Sequence, residues 1–316
     1  MRRVALIYNP ASGQHSRGRR AAINRTLIIL EAAGVQVETL ETSAPGSAGK
    51  QAEEAVRHGC DTIFACGGDG TVHEILQSLV GTNVALGVVP LGTANALAAN
   101  LGLRSSPVKA VRKLLTAAPT RISVGQISFA DVAGGLHTRY FTVAAGVGAD
   151  ALFLSRLDPS LKRRLGYMLY LIEGFRVWAR YSFPLFKAAF VEGENSEPRV
   201  EEISQLLAIR IRDFGGVLHN FAPGATLHKD GLRLVAFKTR SRMAYFRFMI
   251  AAMFGRQNYD REIEILDAVS VECHPSNGFQ TRVFVEADGE LLGNLPVRIE
   301  IVPQALTLLI PRGAQP

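Results

Sequence analysis

Residues 62–76 read TIFACGGDGTVHEIL, and this stretch decides the fold. Its apolar run at 62–66 is typical of a buried strand, and GGDGT at 67–71 follows as a glycine-rich turn. The apolar positions after the turn recur at helical spacing: Val72, Ile75, Leu76, Leu79 and Val80. A buried strand that turns straight into an amphipathic helix predicts one βα unit.

The same unit occurs three more times in the first third of the chain. Its strands are predicted at 4–8, 35–40 and 84–89, each followed by a helical segment. The first and last of these strands run into NPASG at 9–13 and PLGTAN at 90–95. Four consecutive βα units predict a doubly wound parallel sheet, which binds ligands at the carboxyl ends of its strands.

From about residue 122 the pattern changes to short β-rich segments separated by turn residues. They lie at 139–144, 186–191, 206–211, 232–238, 263–271 and 281–287. Such spacing is typical of an antiparallel sandwich, here with one helical insertion near 159–180. We therefore predict an α/β domain over 1–125, with the C-terminal segment 303–316 as a candidate addition to it, followed by a β-sandwich domain over 126–302.

The composition limits the functional classes. With 316 residues, 47% of them hydrophobic, the chain can bury a sizeable core, and it contains no run of the ~20 apolar residues that a spanning helix needs. Its net charge of +7 favours anionic partners: nucleic acid, acidic lipid or polyphosphate. We expect no nucleic-acid binding, because no known motif and no interleaving of basic with aromatic residues accompanies the charge.

Three glycine-bearing loops, at 9–13, 67–71 and 90–95, should open on one edge of the predicted sheet. Glycine lets backbone N–H groups approach a ligand closely, and the helix that starts near Thr71 directs a partial positive charge there. Each loop alone could be a tight turn, whereas the three together favour a phosphate site. No Walker A loop or Rossmann GxGxxG is present, and Asp69 within the glycine loop favours a Mg²⁺-nucleotide over a bare anion.

GGDGTVHEIL at 67–76 and PLGTANALAANLGL at 90–103, preceded by NPASG, resemble the catalytic domain of the diacylglycerol kinase family. That family includes soluble bacterial lipid kinases and sphingosine kinases. The similarity continues through TSAPGSA at 42–48, 214–234 and VEADGELLG at 285–293, so it covers nearly the whole chain. GGDGT alone is shared with NAD kinases and 6-phosphofructokinases, but the combination of motifs is more selective.

The resemblance implies ATP and Mg²⁺ as cofactors and assigns residues to both. The ATP-binding residues that it implies are Asn9, Pro10, Ala11, Ser12, Gly13, Thr42, Gly67, Gly68, Asp69, Gly70, Thr71, Val72, His73 and Thr93. It also implies that Glu290 accepts the proton of the lipid hydroxyl, and that a structural Mg²⁺ binds the Asp230 carboxylate and the backbone oxygens of Leu227 and Leu232. From the residues alone, Asp288-Gly289 and Asp230-Gly231 are also good turns.

Two positions depart from the family pattern. Many bacterial members carry an aspartate where this chain has Ala96, and another where it has Ser123. In the family, both aspartates belong to an acidic network around the catalytic Mg²⁺. In this chain the residue that remains for that role is Asp69, and Glu74 is a second candidate. A catalytically weak nucleotide- or lipid-binding protein is therefore one alternative, and an NAD kinase-like enzyme is another.

The function predicted from the sequence is transfer of the γ-phosphate of Mg-ATP to a hydroxyl of a lipid such as diacylglycerol or a sphingoid base. We expect a cytoplasmic protein that associates peripherally with membranes. Two segments that combine basic with apolar residues, 162–178 and 246–254, are candidates for membrane contact or for buried helices. A homodimer is left open.

Overall fold

Four parallel strands form the N-terminal part of a ten-stranded sheet in a computed structural model of the chain. The model describes residues 1–12, 16–131, 134–155, 176, 178–193, 195–214, 222–253, 262–276 and 282–314. The strands β1 (Arg3–Tyr8), β2 (Gln36–Glu41), β3 (Thr62–Gly67) and β4 (Ala85–Pro90) lie in the order β2-β1-β3-β4. The predicted doubly wound parallel sheet is confirmed.

Helices connect these strands as the apolar spacing predicted. They are α1 (Ser16–Ala32), α2 (Ser47–Arg57), α3 (Asp69–Leu79), α4 (Ala96–Asn100) and α5 (Pro107–Leu114). The predicted inner positions of α3 are buried, including Val72, Ile75 and Leu76. At the start of α5 the Ser106 hydroxyl accepts a hydrogen bond from the Lys109 amide, and proline follows at the first helical position.

The last strand, β16 (Val297–Ile310), extends the parallel sheet. Thr307 and Leu308 pair with β4 in parallel, while most of β16 pairs antiparallel with β5 (Ala118–Ala130). The segment proposed as an addition to the first domain thus contributes a strand beside β4. The predicted boundary between residues 125 and 126 falls inside β5 and stays a prediction.

The remaining strands build two facing antiparallel layers. The ten-stranded sheet continues through β6 (Leu136–Phe141), β8 (Phe186–Val191), β9 (Arg199–Ile203) and β13 (Ser270–Pro275). The second sheet has the order β12-β11-β10-β7-β14-β15, with β7 (Ala144–Val147), β10 (Gln205–Ile209), β11 (Leu232–Phe237), β12 (Ile263–Ala268), β14 (Phe284–Ala287) and β15 (Glu290–Asn294). Buried side chains such as Phe190, Leu206 and Ile299 fill the space between the layers. The predicted β-sandwich is confirmed.

Two further helices are α6 (Ala149–Ser155) and α7 (Arg242–Met253). Most of the insertion expected at 159–180, including its basic segment 162–164, lies outside the described residues. In the part of the chain that the structure describes, no helix is both long and apolar enough to cross a bilayer.

Candidate active site

The carboxyl ends of the four parallel strands meet at one edge of the sheet, and backbone hydrogen bonds join their loops. The Asn9 amide donates to the Cys66 carbonyl at 3.1 Å, the Thr42 amide to the Tyr8 carbonyl at 2.9 Å, and the Leu91 amide to the Gly67 carbonyl at 2.9 Å. The structure therefore brings the loops that carry the predicted ATP-binding residues to a single edge. Gly13 lies outside the described residues, and nucleotide binding by the others stays a prediction.

The first loop is a compact turn stabilised by its own asparagine. The Asn9 side-chain oxygen accepts a hydrogen bond from the Ala11 amide at 2.8 Å, and the Ser12 amide donates to the Asn9 carbonyl at 3.2 Å. Pro10 and Ala11 are exposed. Because this turn is ordered without a ligand, a ligand that bound there would cost little additional conformational entropy.

Asp69 joins the second loop to the third. Its carboxylate accepts hydrogen bonds from the Asn95 amide at 2.9 Å and from the Ala96 amide at 2.7 Å, at the start of α4. Asn95 is held in a left-handed conformation with φ 49°, which aims these two amides at the carboxylate. Each of the two carboxylate oxygens accepts one of these bonds, which fixes the carboxylate at the junction of the two loops.

The second and third loops also touch backbone to backbone. A methyl group on Gly92 would lie 2.5 Å from the Cα of Gly68, and one on Gly67 would lie 2.3 Å from the Thr71 hydroxyl. A side chain at Gly92 would push the two loops apart, and one at Gly67 would collide with Thr71 of the same loop. Glycine at both positions therefore permits this close packing.

The three residues after Gly70 differ from the exposed loop residues. Thr71, Val72 and His73 are buried in α3, with at most 6% of each residue exposed, so their side chains face the protein interior. His73 Nδ1 lies 3.5 Å from an oxygen of Asp288, away from the loops. Thr93, in contrast, is exposed between β4 and α4.

Glu290 reaches this edge from the other sheet. It begins β15, directly after a turn in which Asp288 and Gly289 adopt positive φ values of 48° and 90°. A methyl group on Gly70 would lie 3.5 Å from Oε1 of Glu290, so the carboxylate stands beside the GGDGT loop. The side chain is exposed, and its carboxylate is therefore accessible to a substrate at the edge.

Asp288, the other carboxylate of the turn, has a structural role. It accepts hydrogen bonds from the amides of Thr142, Val143 and Ala144 at 2.9–3.1 Å. Three amide donors stabilise a carboxylate and fix its position. Asp288 therefore anchors the hairpin that carries Glu290. With three amide donors already bound, it is unsuited to accept a substrate proton in place of Glu290.

Two buried carboxyl groups lie beneath the hairpin, and no local signal in the sequence pairs them. A methyl group on Gly146 would lie 1.6 Å from an oxygen of Asp150 and 2.9 Å from an oxygen of Glu286, so glycine makes room for both. Glu286 also accepts a hydrogen bond from the Gly289 amide at 2.9 Å. Burial raises the pKa of Asp150 to about 7, and burial together with the Asp150 charge raises the pKa of Glu286 well above its usual range. A usable sequence signal would have been an acidic residue inside an apolar strand, as in FVEA at 284–287.

Glu74, the second candidate for the catalytic Mg²⁺, is engaged elsewhere. Its two carboxylate oxygens accept hydrogen bonds from the amides of Gly46, at 2.8 Å, and Ala48, at 3.1 Å, which lie at the start of α2. Among the described residues, no group of three or more His, Cys, Asp or Glu side chains could hold a metal by itself. Asp69 is the carboxylate of this edge that would contact a Mg²⁺ arriving with a nucleotide, whose phosphate oxygens and water would supply the other ligands.

The residues predicted to bind a structural Mg²⁺ do not fit a metal ion. The Leu227 carbonyl already accepts a hydrogen bond from Arg210 Nη2 at 3.2 Å, and the Asp230 carboxylate accepts one from the Ser123 hydroxyl. Leu232 lies in β11, where it pairs with Ala268. The buried guanidinium of Arg210 thus binds one of the three groups expected to hold the metal, and the other two already have partners within the protein.

Fold and site together define a class of protein in which a parallel α/β sheet with glycine loops faces a carboxylate from a β-sandwich. Two family models divide the chain in the same way: the diacylglycerol kinase catalytic domain matches residues 3–127, and the YegS C-terminal NAD kinase beta sandwich-like domain matches residues 142–310. The chain belongs to the diacylglycerol kinase family.

Similar proteins cover almost the whole chain. A diacylglycerol kinase of Mycobacterium tuberculosis is 31% identical over 98% of this chain and 96% of its own length. One from Bacillus subtilis is 28% identical over 94% of this chain and 92% of its own. A crystal structure of a diacylglycerol kinase from Bacillus anthracis has a TM-score of 0.71 at 19% identity, and the match covers 99% and 98% of the two chains. That structure supports the fold.

Proposed function

We propose that this protein is a lipid kinase that transfers the γ-phosphate of Mg-ATP to a hydroxyl of a lipid. The observation that carries the proposal is the position of Glu290, whose Oε1 would lie 3.5 Å from a methyl group on Gly70. A hydrogen-bond acceptor beside a phosphate-suited loop is what transfer to a hydroxyl requires. Membership in a family of kinases supports the same chemistry.

In the proposed reaction the protein positions charge and one proton acceptor. The amides of the three loops hold the triphosphate, and Asp69 lies where it would contact the Mg²⁺ that neutralises the phosphate oxygens. The carboxylate of Glu290 accepts the hydroxyl proton as the oxygen attacks the γ-phosphorus in line and ADP leaves. Asp288 fixes the hairpin, so that Glu290 stays aligned with the edge.

Peripheral membrane contact is proposed for α7, because a lipid acceptor must be reached at a surface. One stripe of this helix exposes four large apolar side chains: Met243, Phe246, Met249 and Ile250. Arg242 and Arg247 lie on the same helix, so apolar insertion and attraction to anionic headgroups would act together. Diacylglycerol and sphingoid bases, both lipids with a terminal hydroxyl, are the acceptors we propose to test first.

The rival NAD kinase-like reaction uses a different acceptor and is tested in the same assay. Purified protein is incubated with ATP labelled at the γ-phosphate and with vesicles of diacylglycerol, vesicles of sphingoid base, or NAD. The proposal predicts a labelled lipid that appears with Mg²⁺ and disappears with EDTA. Labelled NADP alone would replace the proposal with the rival, and tight ATP binding without any labelled product would favour the catalytically weak alternative.

A further inference from the structure

Arg210 is a fully buried cation enclosed by backbone carbonyl groups. It follows β10, and only 1% of the residue is exposed. Nη1 donates to the carbonyls of Lys229, at 2.8 Å, and Gly231, while Nη2 donates to those of Ser123, at 2.9 Å, and Leu227, at 3.2 Å. We call these four carbonyls, with the Asp230 carboxylate, the Arg210 cage.

The chemistry of the Arg210 cage is that of a site for a hard cation. Backbone carbonyls and one carboxylate are the ligands that Mg²⁺ and Ca²⁺ take in proteins. An arginine guanidinium is positively charged at neutral pH, so the cage already holds one cation. A second cation in the same cage would meet uncompensated repulsion at short range.

The Arg210 cage also connects separate parts of the fold. Ser123 lies on β5, the 227–231 loop precedes β11, and Arg210 itself follows β10. The Ser123 hydroxyl donates to Asp230 and accepts a hydrogen bond from the Gln304 amide of β16 at 3.1 Å. One guanidinium therefore holds strands of both sheets together. Ser123 suits this arrangement better than an aspartate, because its hydroxyl can donate to Asp230.

We propose that the guanidinium of Arg210 is the cation of this cage in place of a divalent metal, so that the folded state needs no structural Mg²⁺. The four carbonyl oxygens bind the guanidinium instead of an ion, so the protein supplies the positive charge covalently. This inference does not depend on which substrate the protein phosphorylates.

The test is thermal unfolding without nucleotide, in EDTA and then with millimolar Mg²⁺ or Ca²⁺. Wild-type protein should unfold at the same temperature in all three conditions. Arg210→Ala should lower that temperature by about 10 °C in EDTA, because four carbonyls lose their hydrogen-bond donor and the Asp230 carboxylate loses a nearby positive charge. Added metal should restore part of the loss, since the emptied cage offers oxygen ligands to it.

Arg212→Ala is the matched control, because it removes the same charge from an exposed position two residues away. It should unfold close to the wild-type temperature and ignore metal. If Arg210→Ala does not fold, Arg210→Gln removes the charge, keeps a polar side chain and is measured in the same way. A wild-type unfolding temperature that falls in EDTA overturns the proposal, as does an Arg210 variant that is as stable as Arg212→Ala or that shows no response to metal.

Discussion

Glu290 and Gly70 are neighbours in space, with Oε1 of Glu290 only 3.5 Å from the point where a side chain on Gly70 would begin. Gly70 lies in the first turn of α3, directly after β3, and Glu290 lies in a hairpin near the other end of the chain. Their proximity brings together the two parts of the proposed reaction, phosphate binding and proton acceptance.

Asp69→Asn should abolish most phosphoryl transfer and also weaken the fold. The carboxylate binds the amides of Asn95 and Ala96, and an asparagine amide group would face one of these donors with a donor of its own. We expect a loss of roughly 1–3 kcal/mol in the free energy of unfolding, measured in urea. Turnover should fall more than the unfolded fraction explains. Near-normal turnover with an unchanged Mg²⁺ dependence would contradict the role of this loop.

Asp288→Ala should lower turnover through the position of Glu290. It leaves the amides of Thr142, Val143 and Ala144 without their acceptor, and this should destabilise the protein by roughly 3 kcal/mol. The hairpin then moves, so turnover should fall while the dissociation constant for ATP stays almost constant. Asp288→Asn, which keeps an acceptor oxygen, should recover part of both losses. If Asp288→Asn is as stable as wild type but as inactive as Glu290→Gln, Asp288 takes part directly in the chemistry.

Asp150 should make stability depend on pH. Its pKa is about 7 in the folded state and 3.8 in the unfolded chain, so the folded state holds a proton that the unfolded chain releases between these values. Stability must therefore fall as pH rises through this window. Asp150→Asn removes this loss of stability at high pH. The difference in unfolding temperature between the variant and wild type should therefore be about 5 °C larger, in favour of the variant, near pH 8 than near pH 5. A gain that is equal at both pH values would show that Asp150 is ionised throughout.

The exposed stripe of α7 should contribute to vesicle binding. Replacing Phe246 and Met249 by serine removes apolar area that would enter the membrane interface, and binding to anionic vesicles should weaken by about tenfold or more. Leu136→Ser is the matched control, because Leu136 is also apolar and 86% exposed but lies on β6. Wild-type binding should fall with added salt. If the α7 replacements and Leu136→Ser weaken vesicle binding equally in a sedimentation assay, α7 is not the contact surface.

The regular elements and the shared edge of the loops could be predicted from sequence, because strand and helix periodicity are local signals. The 62–76 stretch is the clearest case: β3 and the body of α3 lie where the pattern put them, while α3 begins at Asp69, inside the segment predicted as a turn. The resemblance also indicated Glu290, which the fold brings to Gly70. Local signals do not reveal which distant groups pair.

Long-range pairing accounts for what the sequence did not reveal. Asp69 binds the start of α4, Asp150 faces Glu286 across Gly146, and Arg210 binds the Leu227 carbonyl that was expected to bind a metal. Each pairing depends on the register of strands or loops far apart in the chain. The metal at Leu227, Asp230 and Leu232 was expected from the family resemblance, and no local signal indicates that the guanidinium of Arg210, which follows β10, binds Leu227.

Glu290→Gln tests the central claim most directly, with turnover and ATP affinity measured on one preparation. Glutamine keeps the size of the side chain but removes the basic oxygen. Turnover of the lipid acceptor should fall by roughly 10²–10⁴, the usual contribution of a general base, while the ATP dissociation constant stays almost unchanged. Full activity would contradict the assignment, and a parallel loss of ATP affinity would make Glu290 a ligand of the nucleotide or its Mg²⁺ instead of the base.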